Sequence, residues 1–195
     1  MKEKTRQITL TAVFIALVLL LGLTPLGLIP LGFINVTILC IPVIVGTLVL
    51  GIRAGLILGV CFGLVSTLRA FGIPYPASGL VSTLMAESPL LVILMSMLPR
   101  ILVPIETMGI YRLLEGERVN QYVALPVAAL AGSLTNTIFY LGMMLVFYYI
   151  AGLDSAGILG LIAGTGAIAG GCEALAAALI TTPVVAALWV VQKKN

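Results

Sequence analysis

Three polar side chains stand in the middle of long apolar runs, and they are the residues of this sequence that could do chemistry. Arg100 lies in "MLPRILVPIETMG", Asn136 in "GSLTNTIFY" and Glu173 in "AGGCEALAAAL". An arginine at the centre of an apolar membrane helix costs about 2.5–3.5 kcal/mol on the insertion scale, so it must face a protein interior and meet a partner there. Two interpretations are open. Arg100 forms a structural ion pair with Glu173 or Glu106, or it belongs to a binding site for a small polar or anionic solute.

Helix geometry favours a meeting of these groups at one level. Arg100 lies about 18 Å into its apolar segment and Asn136 about 22 Å into the next, at 1.5 Å per residue, and Glu173 reaches a similar depth. Pro99 and Pro104 lack a backbone N–H, so we expect them to loosen the helix around Arg100 and to free carbonyls beside it.

Glu106 is a poor partner for Arg100 within their common helix. The two residues lie about 600° apart around a helix, which places them on different faces.

The composition indicates that the elements carrying these residues lie in a bilayer. The chain is 61% hydrophobic and only 9% charged, whereas an ordinary soluble domain is about 25% charged. A small domain with so few charges could not cover its surface in water, so its natural solvent is lipid. The first apolar run follows the basic stretch "MKEKTRQ", but no A-x-A cleavage site comes after it, and we interpret it as a retained helix.

We predict a single integral membrane domain over residues 1–195, an all-α protein with six transmembrane helices. Their approximate bounds are 8–23, 37–50, 53–71, 84–113, 121–150 and 157–191. The second is short, because a spanning helix needs about 20 apolar residues. The proline-containing segments 24–35 and 71–79 connect helices on one side, and 24–35 is predicted to act as a lid.

The basic residues predict the orientation. An even number of helices places both termini on one side, and that side holds eight of the ten Lys and Arg residues: Lys2, Lys4, Arg6, Arg53, Arg112, Arg118, Lys193 and Lys194. The positive-inside rule identifies this side as the cytoplasm. Both termini are therefore predicted to be cytoplasmic, and the segments 24–35 and 71–79 to face outward.

Small residues indicate where helices approach one another closely. A stripe of glycines with a spacing of four predicts a tight internal contact of the third helix, and it consists of Gly51, Gly55, Gly59 and Gly63. Ala12 and Ala16 form a second small-xxx-small pair on the first helix, which is a weak motif on its own.

Several classes of function are disfavoured by the residues that are missing. The chain has no histidine, which argues against most zinc, nickel or cobalt sites and against histidine acid–base catalysis. It has no G-x-x-x-x-G-K-[ST] phosphate loop, so it does not hydrolyse ATP by itself. The basic residues have a membrane explanation and require no nucleic acid. We predict a protein that is not an enzyme and that has no cofactor and no metal.

The order and spacing of several pieces resemble the S-components of energy-coupling factor (ECF) transporters. The pieces are "TAVFIAL", "TPLGLIPLGFINVTILCIPVIVGTLVLGIRAGLILGVCFGLVS", "LPRILVPIETMGIYRLL", "LAGSLTNTIFYLG" and "EALAAALITTPVVAAL", and they cover nearly the whole chain. The form "TPLGLIPLGFIN" is most similar to the pantothenate-type members. The resemblance implies a six-helix subunit of a prokaryotic cell membrane that captures a water-soluble vitamin at the outer face. It also implies inward delivery together with a transmembrane coupling protein and two ATPase subunits.

The resemblance implies roles for particular residues as well. Ala12 and Ala16 would contact the coupling protein. The predicted substrate-binding residues are Arg100, Asn136, Glu173, Asn35, Thr37 and Tyr75. Arg100 could take the carboxylate of pantothenate bidentately, and Asn136 suits an amide or a hydroxyl.

Three alternatives remain open at this point. A pyridoxine-like vitamin would suit Tyr75, Tyr140 and Asn136. A stand-alone ion-coupled transporter would use Glu173 as its carrier, and a purely structural membrane subunit would retain no small molecule.

Overall fold

A computed structural model describes residues 2–30 and 35–194 of the chain. The helices are α1 (Lys2–Leu23), α2 (Cys40–Leu50), α3 (Ile52–Ala70), α4 (Gly79–Glu87), α5 (Pro89–Gly116), α6 (Gln121–Ile150), α7 (Ser155–Leu161) and α8 (Ala167–Lys194). A 3₁₀ turn (Pro25–Gly27) follows α1, and a π-helical turn (Ile162–Gly166) joins α7 to α8. The strands β1 (Leu28–Pro30) and β2 (Asn35–Thr37) pair antiparallel between α1 and α2. The protein is therefore predominantly α-helical, as predicted.

Five helices of the described residues, α1, α3, α5, α6 and α8, are long and apolar enough to cross a membrane. The predicted second helix differs from the expectation. It begins only at Cys40, because residues 35–37 pair as a strand, and its 11 residues span about 16 Å of a hydrocarbon core about 30 Å thick. Every residue from Cys40 to Leu48 is buried, so α2 lies inside the bundle, where it contacts α1, α3, α5, α6 and α8.

Two of the predicted long helices are each divided. The segment predicted at 84–113 consists of α4 and α5, separated at Ser88, whose backbone is extended. Pro89 explains the break, because a residue before proline avoids the helical region. The segment predicted at 157–191 consists of α7, the π-helical turn and α8.

The buried apolar side chains form two clusters. The larger cluster surrounds α2 and includes Val43, Ile44, Leu58 and Val185. The smaller cluster joins α4 to the first turns of α5 and the last turns of α6. Polar groups that lie between these elements are therefore screened from lipid.

Glycines of α3 allow it to pack directly on the backbone of α5. A Cβ atom on Gly59 would lie 2.7 Å from the carbonyl oxygen of Arg100 and 3.2 Å from Cγ of Pro104. A Cβ on Gly63 would lie 2.7 Å from the sulfur of Met97. The close helix contact predicted from the glycine spacing is confirmed at these positions.

Gly51 does not take part in that contact. Its φ of +88° lies in the region that favours glycine, and no atom lies within 4 Å of its Cβ position. It makes the turn between α2 and α3, and its N–H donates to the carbonyl of Thr47 over 2.9 Å.

Replacement of Gly59 by alanine should destabilise the bundle by roughly 1–3 kcal/mol, because the added methyl group meets a backbone carbonyl that cannot rotate away. The measurement is the unfolding midpoint of the purified protein in detergent. Gly142→Ala is the matched control, since nothing lies within 4 Å of the Cβ position of Gly142. Equal midpoints for the two variants would contradict the packing described above.

Candidate solute-binding cavity

A cavity lies among α3, α5, α6 and α8, and each of these helices contributes polar side chains to it. Its volume is about 140 Å³, whereas one water needs about 10–15 Å³ of such volume. The cavity therefore has room for a small organic molecule rather than for a lone ion. The polar side chains that line it include Ser66, Arg69, Arg100, Asn136, Thr137 and Glu173.

Arg100 is the deepest positive charge of this cavity, and it is 7% exposed. Its Nη1 donates to the carbonyl of Met95 over 3.0 Å. In a regular helix that carbonyl would accept from the N–H of residue 99, but Pro99 has none. The proline thus frees an acceptor for the guanidinium, as predicted. The Arg100 Cζ also lies 4.4 Å from the ring centroid of Tyr140 and 5.4 Å from that of Phe62, and such contacts stabilise a desolvated cation.

Glu173 makes its hydrogen bonds to groups other than Arg100. Its carboxylate accepts a bond from the backbone N–H of Thr37 and one from the hydroxyl of Thr137 over 3.4 Å. Glu173 therefore connects β2 to α6 and α8. The structural ion pair between Arg100 and Glu173, one of the two interpretations of the sequence, is not among the contacts of the described residues.

Two buried polar atoms at the cavity have no hydrogen-bond partner among the described residues. They are Nε of Arg100 and Oδ1 of Asn136. A buried polar group left without a partner costs about 1–3 kcal/mol. One atom is a donor and the other an acceptor, so a molecule with complementary groups would satisfy both.

The other predicted site residues are distributed as follows. Thr37 and Tyr75 line the same cavity as Arg100, Asn136 and Glu173. The side chain of Asn35 lies outside the described part of the structure, although its backbone belongs to β2. In the predicted lid 24–35, residues 31–34 also lie outside the described residues.

Sequence reasoning missed several residues of the cavity wall. Ser96 lines the cavity and lies four positions before the predicted Arg100. Tyr140, which the sequence suggested only for a pyridoxine-like vitamin, also lines the cavity and lies four positions after Asn136. That helical spacing could have identified them. Arg69 also lines the cavity, and the available signal was its position two residues before the segment 71–79, which carries Tyr75.

Ala12 and Ala16 lie on the exposed side of α1, while Phe14 and Val18 pack into the bundle. In the most apolar stretch of α1 only 17% of the residues are buried, whereas 44% are buried in the corresponding stretch of α5. The α1 face that holds the two alanines is therefore open to lipid or to another protein.

The bond from Thr37 to Glu173 predicts different effects of two substitutions. Glu173→Gln keeps a carbonyl oxygen that can accept from the Thr37 N–H, whereas Glu173→Ala leaves that N–H without its acceptor, at a cost of about 1–3 kcal/mol. We expect a lower unfolding midpoint for Glu173→Ala than for Glu173→Gln in the ligand-free protein. If the glutamine variant is the less stable of the two, the carboxylate does not serve as the anchor of β2.

Comparisons with known proteins show the family to which this chain belongs. Residues 6–190 match the family described as the substrate-specific component of the ECF transporter. The chain is also 30% identical over 196 residues to the pantothenic acid transporter PanT of Lactococcus lactis subsp. cremoris, and the alignment covers 96% of this chain and 95% of that protein. The family consists of transport subunits and not of enzymes. This chain, a multi-pass membrane protein, belongs to the substrate-specific components of ECF transporters.

Proposed function

We propose that this S-component binds pantothenate in the cavity around Arg100. The observation that carries the proposal is the pair of buried, unpartnered atoms, Nε of Arg100 and Oδ1 of Asn136, at one cavity. The name of the similar L. lactis protein, a pantothenic acid transporter, supports the choice of solute.

The chemistry of pantothenate matches the groups of the cavity wall. Its carboxylate is an acceptor for the guanidinium of Arg100, and a charge-assisted bond of this kind is stronger than one between neutral groups. Its amide N–H and hydroxyl groups are donors for Oδ1 of Asn136. Arg100 and Asn136 are both buried in the cavity wall, so these bonds would form away from most competing water.

The S-component would deliver the solute inward with a transmembrane coupling protein and two ATPase subunits. We propose that Ala12 and Ala16 on the open face of α1 contact the coupling protein. Small residues there allow a close approach of a second helix, and both lie on the exposed side of α1.

We further propose that the chain crosses the plasma membrane of a prokaryotic cell six times, with both termini in the cytoplasm. In this arrangement α2, together with β2, would make the second crossing within the bundle. The distribution of basic residues supports the orientation, because six crossings would place Arg53, Arg112 and Arg118 on the same side as the basic termini.

Loss of the guanidinium should weaken solute binding. A charge-assisted hydrogen bond contributes about 1.5–3 kcal/mol, so Arg100→Ala should raise the Kd for pantothenate by roughly ten- to hundredfold or more. Arg100→Lys keeps the charge but loses the planar fork, and it should fold well and bind poorly. The measurement is calorimetric titration with pantothenate and, in parallel, pyridoxine.

Arg112→Ala is the control for this series, since Arg112 lies on the same helix but is exposed. The variant that combines Arg100→Ala with Glu173→Ala tests the purely structural role. Recovery of both stability and binding in that double variant, or full-strength binding by Arg100→Ala, would refute the role of Arg100 in solute binding. Tight binding of pyridoxine but not of pantothenate would identify the other vitamin class.

Bulky residues on the open face of α1 should prevent assembly but not solute binding. We expect the variant that combines Ala12→Trp with Ala16→Trp to lose co-purification with the coupling protein and to retain pantothenate binding. Neither residue lines the cavity, and both lie on the opposite side of α1 from Phe14 and Val18. Leu179→Trp is the control, since Leu179 is exposed on α8. Full co-purification of the double variant would show that the docking face lies elsewhere.

A further inference from the structure

Arg69 joins three parts of the molecule at the mouth of the cavity. Its Nε donates to the carbonyl of Gly22, and its Nη2 donates to the carbonyl of Thr24 over 3.1 Å. Its Cζ lies 5.5 Å from the ring centroid of Tyr75. Arg69 and Tyr75 both line the cavity. The guanidinium of Arg69 therefore connects the cavity wall to the end of α1 and to the segment after α3, which carries Tyr75.

The two carbonyls are suited to a cation. Gly22 lies in the last turn of α1 and Thr24 directly follows the helix. The last carbonyls of a helix lack N–H partners within it, and they form the negative end of the helix dipole. Arg69 therefore caps α1 from a neighbouring helix.

This end of α1 also packs closely against α3. A Cβ atom on Gly22 would clash with Cγ1 of Val65 and would lie 2.9 Å from Cδ2 of Leu39. Elsewhere α1 is the least buried of the five long apolar helices. The contacts at Gly22 and Thr24 therefore add to those of Phe14 and Val18 in holding α1 against the bundle.

We propose that Arg69 is a positioning residue that couples occupancy of the cavity to the end of α1. This inference rests on the proposed function, because it requires a solute in the cavity. The contacts of Arg69 among the described residues are two carbonyl oxygens and an aromatic ring, without a carboxylate. A guanidinium carries five N–H donors, and a solute at the mouth can bind those not directed at α1.

Such a contact would connect the solute-binding cavity to the face of α1 that is proposed to bind the coupling protein. A solute that orders the Arg69 guanidinium also orders the α1 carbonyls and Tyr75, because all are held by the same group. The helix that becomes ordered is the one with the open face at Ala12 and Ala16. By linkage, a coupling protein that favours this position of α1 would in turn favour retention of the solute.

Hydrogen–deuterium exchange of the full-length protein in lipid nanodiscs tests this proposal at residues 20–27. In the ligand-free protein, Arg69→Gln should speed exchange of these amides by about tenfold, because two hydrogen bonds to the helix end are lost. Saturating pantothenate should slow exchange of the same amides in the parent protein but not in Arg69→Gln. Arg69→Lys, which keeps the charge, should restore part of the response.

Arg53→Gln is the matched control, because Arg53 is exposed at the other end of α3, and it should behave as the parent does. Calorimetric titration of each variant shows separately whether pantothenate is bound. The proposal is overturned if bound pantothenate leaves exchange at residues 20–27 unchanged in the parent, or changes it equally in Arg69→Gln.

If the parent binds no pantothenate, the choice of solute in the proposed function fails, and the ligand-free comparison still decides the role of Arg69. Equal exchange in Arg69→Gln and Arg53→Gln would then overturn it. Should Arg69→Gln not fold, Arg69→Lys takes its place, because lysine cannot reproduce the two bonds that the fork makes to the carbonyls of Gly22 and Thr24. A response of α1 to the solute as large in Arg69→Lys as in the parent would refute the coupling.

Discussion

Lipid cannot hydrogen-bond to a guanidinium, and the interior of this bundle is arranged around that constraint at Arg100. Pro99 withholds an N–H and so leaves the Met95 carbonyl for Nη1 of Arg100. Tyr140 and Phe62 place aromatic rings near the charge. Four helices enclose the remaining donors in a cavity rather than in lipid, so the cost of one buried charge explains why polar side chains from separate helices are gathered there.

The same constraint separates structural polar contacts from those left open for a solute. Glu173 is satisfied by Thr37 and Thr137, and it ties the strand before α2 to the helices behind the cavity. Arg100 and Asn136 each keep a buried atom without a partner. A protein that only needed a stable core would gain from pairing or removing such atoms. Unpartnered atoms beside a cavity are the arrangement expected of a subunit whose task is to bind a polar solute and release it.

Transport by such a subunit requires that the cavity and the partner-binding surface influence each other. The cavity wall includes Arg69, which holds the end of α1, and Thr37, which belongs to the pair of strands between α1 and α2. Both residues line the cavity themselves. A change in the cavity can therefore reach the end of α1 and the strand pair without passing through other residues. In the proposed division of labour the ATPase subunits would hydrolyse ATP, and this chain would need only to distinguish its occupied and empty states.

The sequence by itself determined that the chain lies in lipid, that it is helical, and that Arg100, Asn136 and Glu173 lie deep within it. These properties depend on composition and on local spacing, as with Arg100 among apolar residues and the glycines at positions 59 and 63. The family resemblance drawn from its motifs is confirmed by the match over residues 6–190. Only the tertiary structure decided that α2 is a short, buried helix, that Glu173 binds Thr37 and not Arg100, and that Arg69 reaches back to α1. Each of these depends on contacts between residues distant in the chain, and a helix presents the same local pattern whichever neighbour its side chains meet.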